Sequence, residues 1–318
     1  MESIYIRPDP HPLDFDWRFT AETTNKLLRK ISDKNNILLV GTPTLAYELQ
    51  LTNSNYTLVD RQYVPGVKNQ VNLDISICLP LTQKYDAIII DSPWYEEDFF
   101  RWVSWSSSCI TADGVIYSSL WPIETRTSSR MERTRIFNWL KKWSKYSIEG
   151  GYLSYQQPKY ELIAKQVNSD FDNEKKWSKG DMLAIYPYKK VEIAIPIERA
   201  KIWVRYTIGT LQLAVRIDDI QNEPKVTTIE SAQDWIWPHI SKRAKDRDEI
   251  GLWSSRNFVA KLDGSTGFIN ILEAYLGLAP NKKCLLSEEE QSWYQDFFES
   301  WSIPSNCPEI VKVWKCQE

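Results

Sequence analysis

Residues 85–95 read YDAIIIDSPWY, in which four apolar residues in a row (Ala87, Ile88, Ile89, Ile90) run straight into an acid. An unbroken apolar run is the pattern of a strand covered on both faces of a sheet, where a half-exposed strand would alternate. Asp91, Ser92, Pro93 and Trp94 therefore fall at the carboxyl end of that strand, the edge at which open α/β sheets bind their ligands. An acid, a backbone carbonyl freed by a proline and a flat ring form a clamp suited to a planar amine such as adenine. A buried strand ending in an ordinary Ser-Pro turn fits the same residues. The segments on either side decide between the two.

Working outward, helix and strand patterns alternate over residues 14–188. Thr20-Ala21-Glu22-Thr23 opens a helix through Lys30, with an N-cap threonine and an acid in the first turn. Residues 36–40 form a strand, followed by the turn Gly41-Thr42-Pro43-Thr44 and a helix over 45–51. A second strand, 56–59, ends on Asp60. After the Ile88 strand comes a helix rich in aromatics (Phe99, Phe100, Trp102, Trp105). Asp113-Gly114 then turns into a strand over 115–117, and a helix spans 129–145. Strands are expected at 160–164 and 182–186, with a polar loop over 168–179. Strands separated by helices predict a mostly parallel, doubly wound sheet.

Residues 189–318 follow a different pattern. VEIAIPI (191–197), KIWVRYTI (201–208) and TLQLAVRI (210–217) read as short alternating strands, the last two joined as a hairpin at Ile208-Gly209. Helices are expected over 231–243, 267–276 and 287–301. The organisation is thus an N-terminal extension (1–13), a Rossmann-like α/β domain (14–188) and a smaller C-terminal α+β domain (189–318).

Composition narrows the classes. Charged residues make up 25% and hydrophobic residues 42%, a globular balance. A net charge of −3 leaves no global electrostatic pull toward nucleic acid, so any such contact must come from a local basic face. The five cysteines are odd in number and lack C-x-x-C spacing, and with only two histidines, His11 and His239, neither a zinc site nor a His-based triad is expected. No stretch has the length of a membrane span and the opening residues do not read as a signal peptide, so the expectation is a cytoplasmic protein without membrane association.

The order of the acids is informative. In a nucleotide-binding sheet an acid ending the second strand commonly holds a ribose hydroxyl, which assigns Asp60 to that role. Asp74, in VNLDI, precedes the Asp91 strand and is placed to accept from an adenine amino group. The segment after the 115–117 strand carries Arg126, Arg130, Arg133 and Arg135, candidates for phosphate contacts as well as for a solvated helix face.

Three stretches, DFDWRFTAETT (14–24), ILLVGTPTLAYEL (37–49) and YDAIIIDSPWY (85–95), resemble the N6-adenine methyltransferase-like family. Its members include lysine methyltransferases of translation elongation factor 1α and a ribosomal-RNA adenine methyltransferase. The family carries an aromatic-rich stretch ending in hydroxyl-x-Glu-Thr, matched by Thr20, Glu22 and Thr23. It has a Pro-Thr or Pro-Ser turn in place of a glycine-rich loop, matched by Thr42, Pro43, Thr44 and Leu45. Its catalytic motif is Asp/Asn-Pro-Pro-aromatic, matched by Asp91, Pro93 and Trp94, with Ser92 standing where the family has proline. The resemblance covers residues 14–165 and implies S-adenosyl-L-methionine as cofactor.

On this reading the chain is an N-methyltransferase. Asp91 and the Ser92 carbonyl accept from the target amine, Pro93 fixes the turn and Trp94 stacks on the base, with Tyr95, Arg126, Arg130 and Arg133 toward the substrate. Adenine N6 in nucleic acid is the first expected target and a protein lysine the second. The third reading is a methyltransferase fold retained as a binding or scaffold subunit, with the C-terminal domain and its Trp203, Trp235, Trp237 and Trp253 as a docking surface for a protein partner.

Overall fold

The computed structural model describes residues 7–14, 16–52, 54–168, 178–196, 201–218, 223–239, 241, 244–278 and 286–307, and the backbone of 310–317. The chain divides into two compact units, one of residues 17–157 and 172–198, the other of residues 1–16, 158–171 and 199–318. The expected boundary at 188 and 189 follows chain order; the compact units interleave along the chain.

The first unit contains β1 (Arg18–Phe19), α1 (Ala21–Lys30), β2 (Ile37–Val40), α2 (Pro43–Leu51), β3 (Tyr56–Asp60), β4 (Gln70–Asn72), β5 (Tyr85–Ile90), α3 (Glu96–Ser107), β6 (Ile110–Leu120), α4 (Ser129–Leu140), β7 (Ser144–Gln156) and, after a segment that belongs to the other unit, β8 (Lys179–Pro187). Its eight strands lie in the order β1-β7-β8-β6-β5-β2-β3-β4. From β4 to β6 all neighbours are parallel, and β8 runs antiparallel to both β6 and β7. The parallel part winds outward from β2 through β3 to β4, then restarts at β5 on the other side of β2. This is a Rossmann-like doubly wound sheet, and its switch point falls between β2 and β5.

The all-apolar strands behave as their pattern predicts. Leu38, Val40, Ile88 and Ile90 face a core shared with Phe99 and Val103 of α3 and Ile136 and Leu140 of α4. Ile37, Leu39, Ala87 and Ile89 face the opposite core, with Leu27 of α1 and Leu45 and Leu49 of α2. Helices on both faces leave no solvent side for these strands, which removes any reason for alternation.

Several expectations are corrected. Asp113-Gly114 does not precede a short strand but lies inside β6, where the pairing with β5 shifts between Tyr85 and Ala87. The helix expected over 129–145 stops at Leu140, and residues 144–156 form β7, the longest strand. Gly150-Gly151 interrupts its alternation where its pairing with β8 shifts between Glu149 and Leu153, which hides the strand from a period-two reading. Residues 160–164 are not a strand but part of α5 (Lys159–Val167), whose buried Tyr160, Glu161 and Ala164 follow helical spacing. The polar loop over 168–179 lies largely outside the described residues. Residues 191–196 carry no regular structure. Ala194 is instead pinned to α3, its N–H donating to Ser104 Oγ at 2.9 Å and its carbonyl accepting from Arg101 at 2.7 Å.

The second unit is α+β. It holds α5, β9 (Ile202–Ile208), β10 (Leu211–Arg216), β11 (Lys225–Thr227), β12 (Leu252–Ser254), β13 (Val259–Asp263), α6 (Ser265–Tyr275), α7 (Glu288–Ser300) and β14 (Ile310–Gln317). Its antiparallel sheet has the order β11-β13-β12-β10-β9-β14, and Ile208 pairs with Leu211 across the expected hairpin turn. A capping box of Ser287 and Glu290 starts α7. The helix expected over 231–243 is absent from its described part. Asp234 and Trp235 have φ of 46° and 68°, a left-handed pair that no α-helix accommodates, and Gln233 bridges to Ile236. Trp203, Trp237 and Trp253 are core residues with Leu13 and Ile250, and Trp235 packs edge-on to Phe297 and Trp301. Trp203, Trp237 and Trp253 are thus buried, whereas Trp235 is half-buried.

Candidate active site

The switch point assembles two strand ends. Val40 and Ile90 close β2 and β5, and the Asp91 N–H donates to the Val40 carbonyl at 3.1 Å, so both chains leave the sheet together. Gly41 follows at φ +65°, its N–H bonded to the Val59 carbonyl at 3.0 Å. A Cβ on Gly41 would lie 2.8 Å from the Trp102 ring and 3.2 Å from the Asp91 carbonyl oxygen. The glycine is therefore demanded twice, by conformation and by space. Thr42 caps α2 and Pro43 takes its first turn, a position where the missing N–H costs nothing. Thr42 Oγ1 is buried without a hydrogen-bond partner among the described residues, and so is Ser92 Oγ. The two unpaired hydroxyls follow the ends of adjacent strands, Thr42 after β2 and Ser92 after β5.

Asp91 sits among rings. Tyr155, at the end of β7, donates its hydroxyl to Asp91 Oδ1 at 2.9 Å. Its ring lies edge-on to Trp94 at 5.6 Å and to Trp17 at 6.2 Å, and tilted against Phe19 at 5.2 Å. Trp17 and Trp94 are near-parallel, 22° apart with centroids 6.4 Å from each other. Gly180 of β8 lines the same place: a Cβ there would lie 3.1 Å from Trp94 and 3.4 Å from Tyr155. Burial, followed by the Asp91 charge, holds the Tyr155 phenol well above the usual tyrosine range, so it stays a donor at neutral pH. Past Trp94, the Tyr95 N–H bonds the Pro93 carbonyl at 2.8 Å, and Tyr95 caps α3, whose first turn carries Glu96, Glu97 and Asp98 against the helix dipole.

The remaining sequence-predicted residues divide. Asp60 ends β3 as expected, and its Oδ1 accepts from the Gln62 N–H at 2.8 Å, which folds the following loop back over the strand end. Asp74 Oδ1 accepts from the Ser76 N–H at 2.8 Å in the turn after β4. Thr20 caps α1 by accepting from the Thr23 N–H, and Thr23 Oγ1 accepts from the Ser154 N–H at 2.8 Å. Glu22 is exposed and pairs with Lys26. Pro43 and Thr44 lie in the first turn of α2, and Leu45 is fully buried in the core beneath it.

The arginines are engaged by carboxylates from several elements. Arg126 pairs with Glu132 at 2.6 Å and lies over the Tyr95 and Trp121 rings at 5.4 and 4.9 Å. Arg133 is buried, bonded to Asp181 at 2.7 Å and to the Trp121 carbonyl at 2.6 Å. Arg135 grips Glu96 with two nitrogens. Arg130 alone of the four is exposed with no carboxylate against it among the described residues.

Two residues of this site escape the sequence reading: Tyr155, and Trp17 as a wall. The signal for Tyr155 is the alternation of Leu153 and Tyr155 ahead of Pro158, obscured by Gly150-Gly151. Among the described residues no group of His, Cys, Asp and Glu side chains forms a metal site, and no helix is long and apolar enough to cross a membrane.

No protein-family model matches the chain, and neither does any curated protein. Among solved structures it is similar to the branched-chain polyamine synthase from Thermus thermophilus in complex with N4-aminopropylspermidine and 5′-methylthioadenosine, at TM-score 0.49 and 14% identity over 60% of this chain and 63% of that one. A DhpI–SAH complex matches at TM-score 0.35 and 13% identity, over 52% of this chain and 83% of that one. The plantazolicin methyltransferase BpumL in complex with SAH matches at TM-score 0.34 and 14% identity, over 55% and 84%. The chain spans less than two thirds of the synthase's length. The likenesses are distant and say nothing of what this chain binds.

Proposed function

We propose that the first unit is an S-adenosylmethionine-dependent N-methyltransferase of the N6-adenine methyltransferase-like family, acting on an amine nitrogen held at Asp91. The observation that carries this reading is a carboxylate placed at a topological switch point and walled by Trp17, Trp94 and Tyr155. The residues present fit the cofactor. Asp60 offers a carboxylate at the next strand end, and the Gly41-Thr42 turn leaves β2 beside Asp91. When bound, S-adenosylmethionine would supply an activated methyl to the acceptor nitrogen's lone pair, with the C–S electron pair staying on sulfur and the nitrogen's proton passing to solvent. Asp91 orients the nitrogen by accepting its N–H and offsets the positive charge that grows there. The aromatic walls exclude water.

Adenine N6 is the first target, supported by the near-parallel Trp17 and Trp94 rings beside the acid, a setting that suits a flat base. A protein lysine is the second. It is favoured by the engagement of Arg126, Arg133 and Arg135 with carboxylates, which leaves little of the expected cluster for phosphates. Titration calorimetry with millimolar S-adenosylmethionine should give a heat of binding, weakened in Asp60→Ala by about 1–3 kcal/mol. Asp91→Ala should abolish transfer of labelled methyl to an adenine-bearing oligonucleotide while cofactor affinity stays within a few-fold. Absence of binding heat in the wild type would sink the enzyme reading and leave a scaffold subunit. Label on a lysine peptide alone would move the acceptor to protein. If nucleic acid binds, Arg130→Ala should reduce the salt slope by about one phosphate's worth.

A further inference from the structure

We infer that Tyr155 is a positioning residue for the reaction: its hydroxyl clamps Asp91 in the orientation from which the carboxylate accepts the target nitrogen's N–H. This inference rests on the methyltransferase reading above. The contact joins two strand ends that are far apart in sequence, the carboxyl ends of β5 and β7.

Tyr155 itself has no freedom to move away. Its backbone is held on both sides, paired with Phe19 of β1 and donating its N–H to the Ser178 carbonyl at 2.8 Å. Its ring is packed by Phe19, Trp17 and Trp94, and Gly180 provides the space in which the Tyr155 and Trp94 rings meet. A phenylalanine would keep every one of those ring contacts. What tyrosine adds is one donor, aimed at one carboxylate oxygen, and a phenol so buried stays protonated across the neutral range. The Ser92 hydroxyl, the nearest polar side chain in sequence, is buried without a partner among the described residues and gives Asp91 no bond. Orientation of a group that must meet the reacting nitrogen is worth rate, because small misplacements of reacting partners are amplified in turnover.

The test separates the hydroxyl from the ring. Tyr155→Phe should fold, bind S-adenosylmethionine within about threefold of wild type, and lose about 10- to 100-fold in kcat with KM for the acceptor nearly unchanged. The acceptor probes are an adenine-bearing single-stranded oligonucleotide and a lysine-bearing peptide, each with labelled S-adenosylmethionine. In urea unfolding, wild type, Tyr155→Phe, Asp91→Asn and the double variant should show a coupling of at least about fivefold in the unfolding constant. Zero coupling, or wild-type kcat in Tyr155→Phe, overturns the inference. A loss confined to KM or to cofactor affinity also overturns it, since that would make Tyr155 part of a binding wall. A wild type that labels neither probe sinks the methyltransferase reading itself, a result distinct from an active wild type indifferent to Tyr155→Phe.

Discussion

At the scale of single residues, the site depends on positions where a side chain is absent as much as on those where one is present. Gly41 and Gly180 leave room for Trp102, Trp94 and Tyr155, and neither belongs to a glycine motif. Gly41→Ala places a Cβ 2.8 Å from the Trp102 ring on a backbone at φ +65°. It should destabilise the protein by about 2 kcal/mol or more, read as a lower urea midpoint. Unchanged stability would mean that α3 yields at Trp102. Cys109 illustrates the opposite case. Burial pushes its thiol up to about 11, in keeping with a core residue rather than a reactive one. Asp91, Pro93 and Trp94 were legible because a strand end is a local pattern. The contact of Tyr155 with Asp91 was not, because it joins residues 64 apart in the chain.

At the scale of elements, legibility followed burial. β2 and β5 are covered on both faces, and their apolar runs announce them. β7 lies at the antiparallel flank, half-exposed and interrupted by Gly150-Gly151, so neither period emerges. A single carboxylate organises that flank. Asp181 of β8 accepts from the Gly151 N–H at 2.8 Å and from Arg133 of α4 at 2.7 Å. Asp181→Ala should cost about 3–5 kcal/mol, because it strands a buried guanidinium and releases the bulge together. The measurement is chemical denaturation, and a cost below about 1 kcal/mol would show that Arg133 finds water or rests on the Trp121 carbonyl alone. The same kind of pairing holds Arg133 and Arg135 of α4 and, just before it, Arg126. Glu132 is on the helix, but Glu96 and Asp181 come from elements that sequence order does not place beside it.

At the scale of the whole molecule, the units are not consecutive stretches of chain. Residues 7–14, expected as an extension, are built into the antiparallel unit. The Asp9 N–H bonds the Thr210 carbonyl at 2.8 Å, the His11 ring meets the Trp253 carbonyl at 3.0 Å, and Asp14 holds the buried Arg205 with both oxygens at 3.1 and 2.7 Å. Lys159, at the start of α5, pairs with Asp9 at 2.9 Å in the same unit. Asp14→Ala should therefore unfold this unit more easily by about 3–5 kcal/mol, since Arg205 is left charged in the core. A four-point comparison with Asp9→Ala and Lys159→Ala by thermal melting checks it. Equal small effects would mean that the segment is an appendage after all.

The sequence by itself determined the doubly wound sheet, the hairpin at Gly209, the cap of α1, and the carboxyl-end position of Asp91. All of these rest on periodicity, turn chemistry or capping, which act over a few residues. Only the tertiary structure decided that 160–164 is helical, that Trp203, Trp237 and Trp253 are core, that three arginines are paired, and that Tyr155 reaches Asp91. Each of those depends on which distant residue arrives opposite, and burial and pairing between distant residues are set by the fold rather than by the local chain.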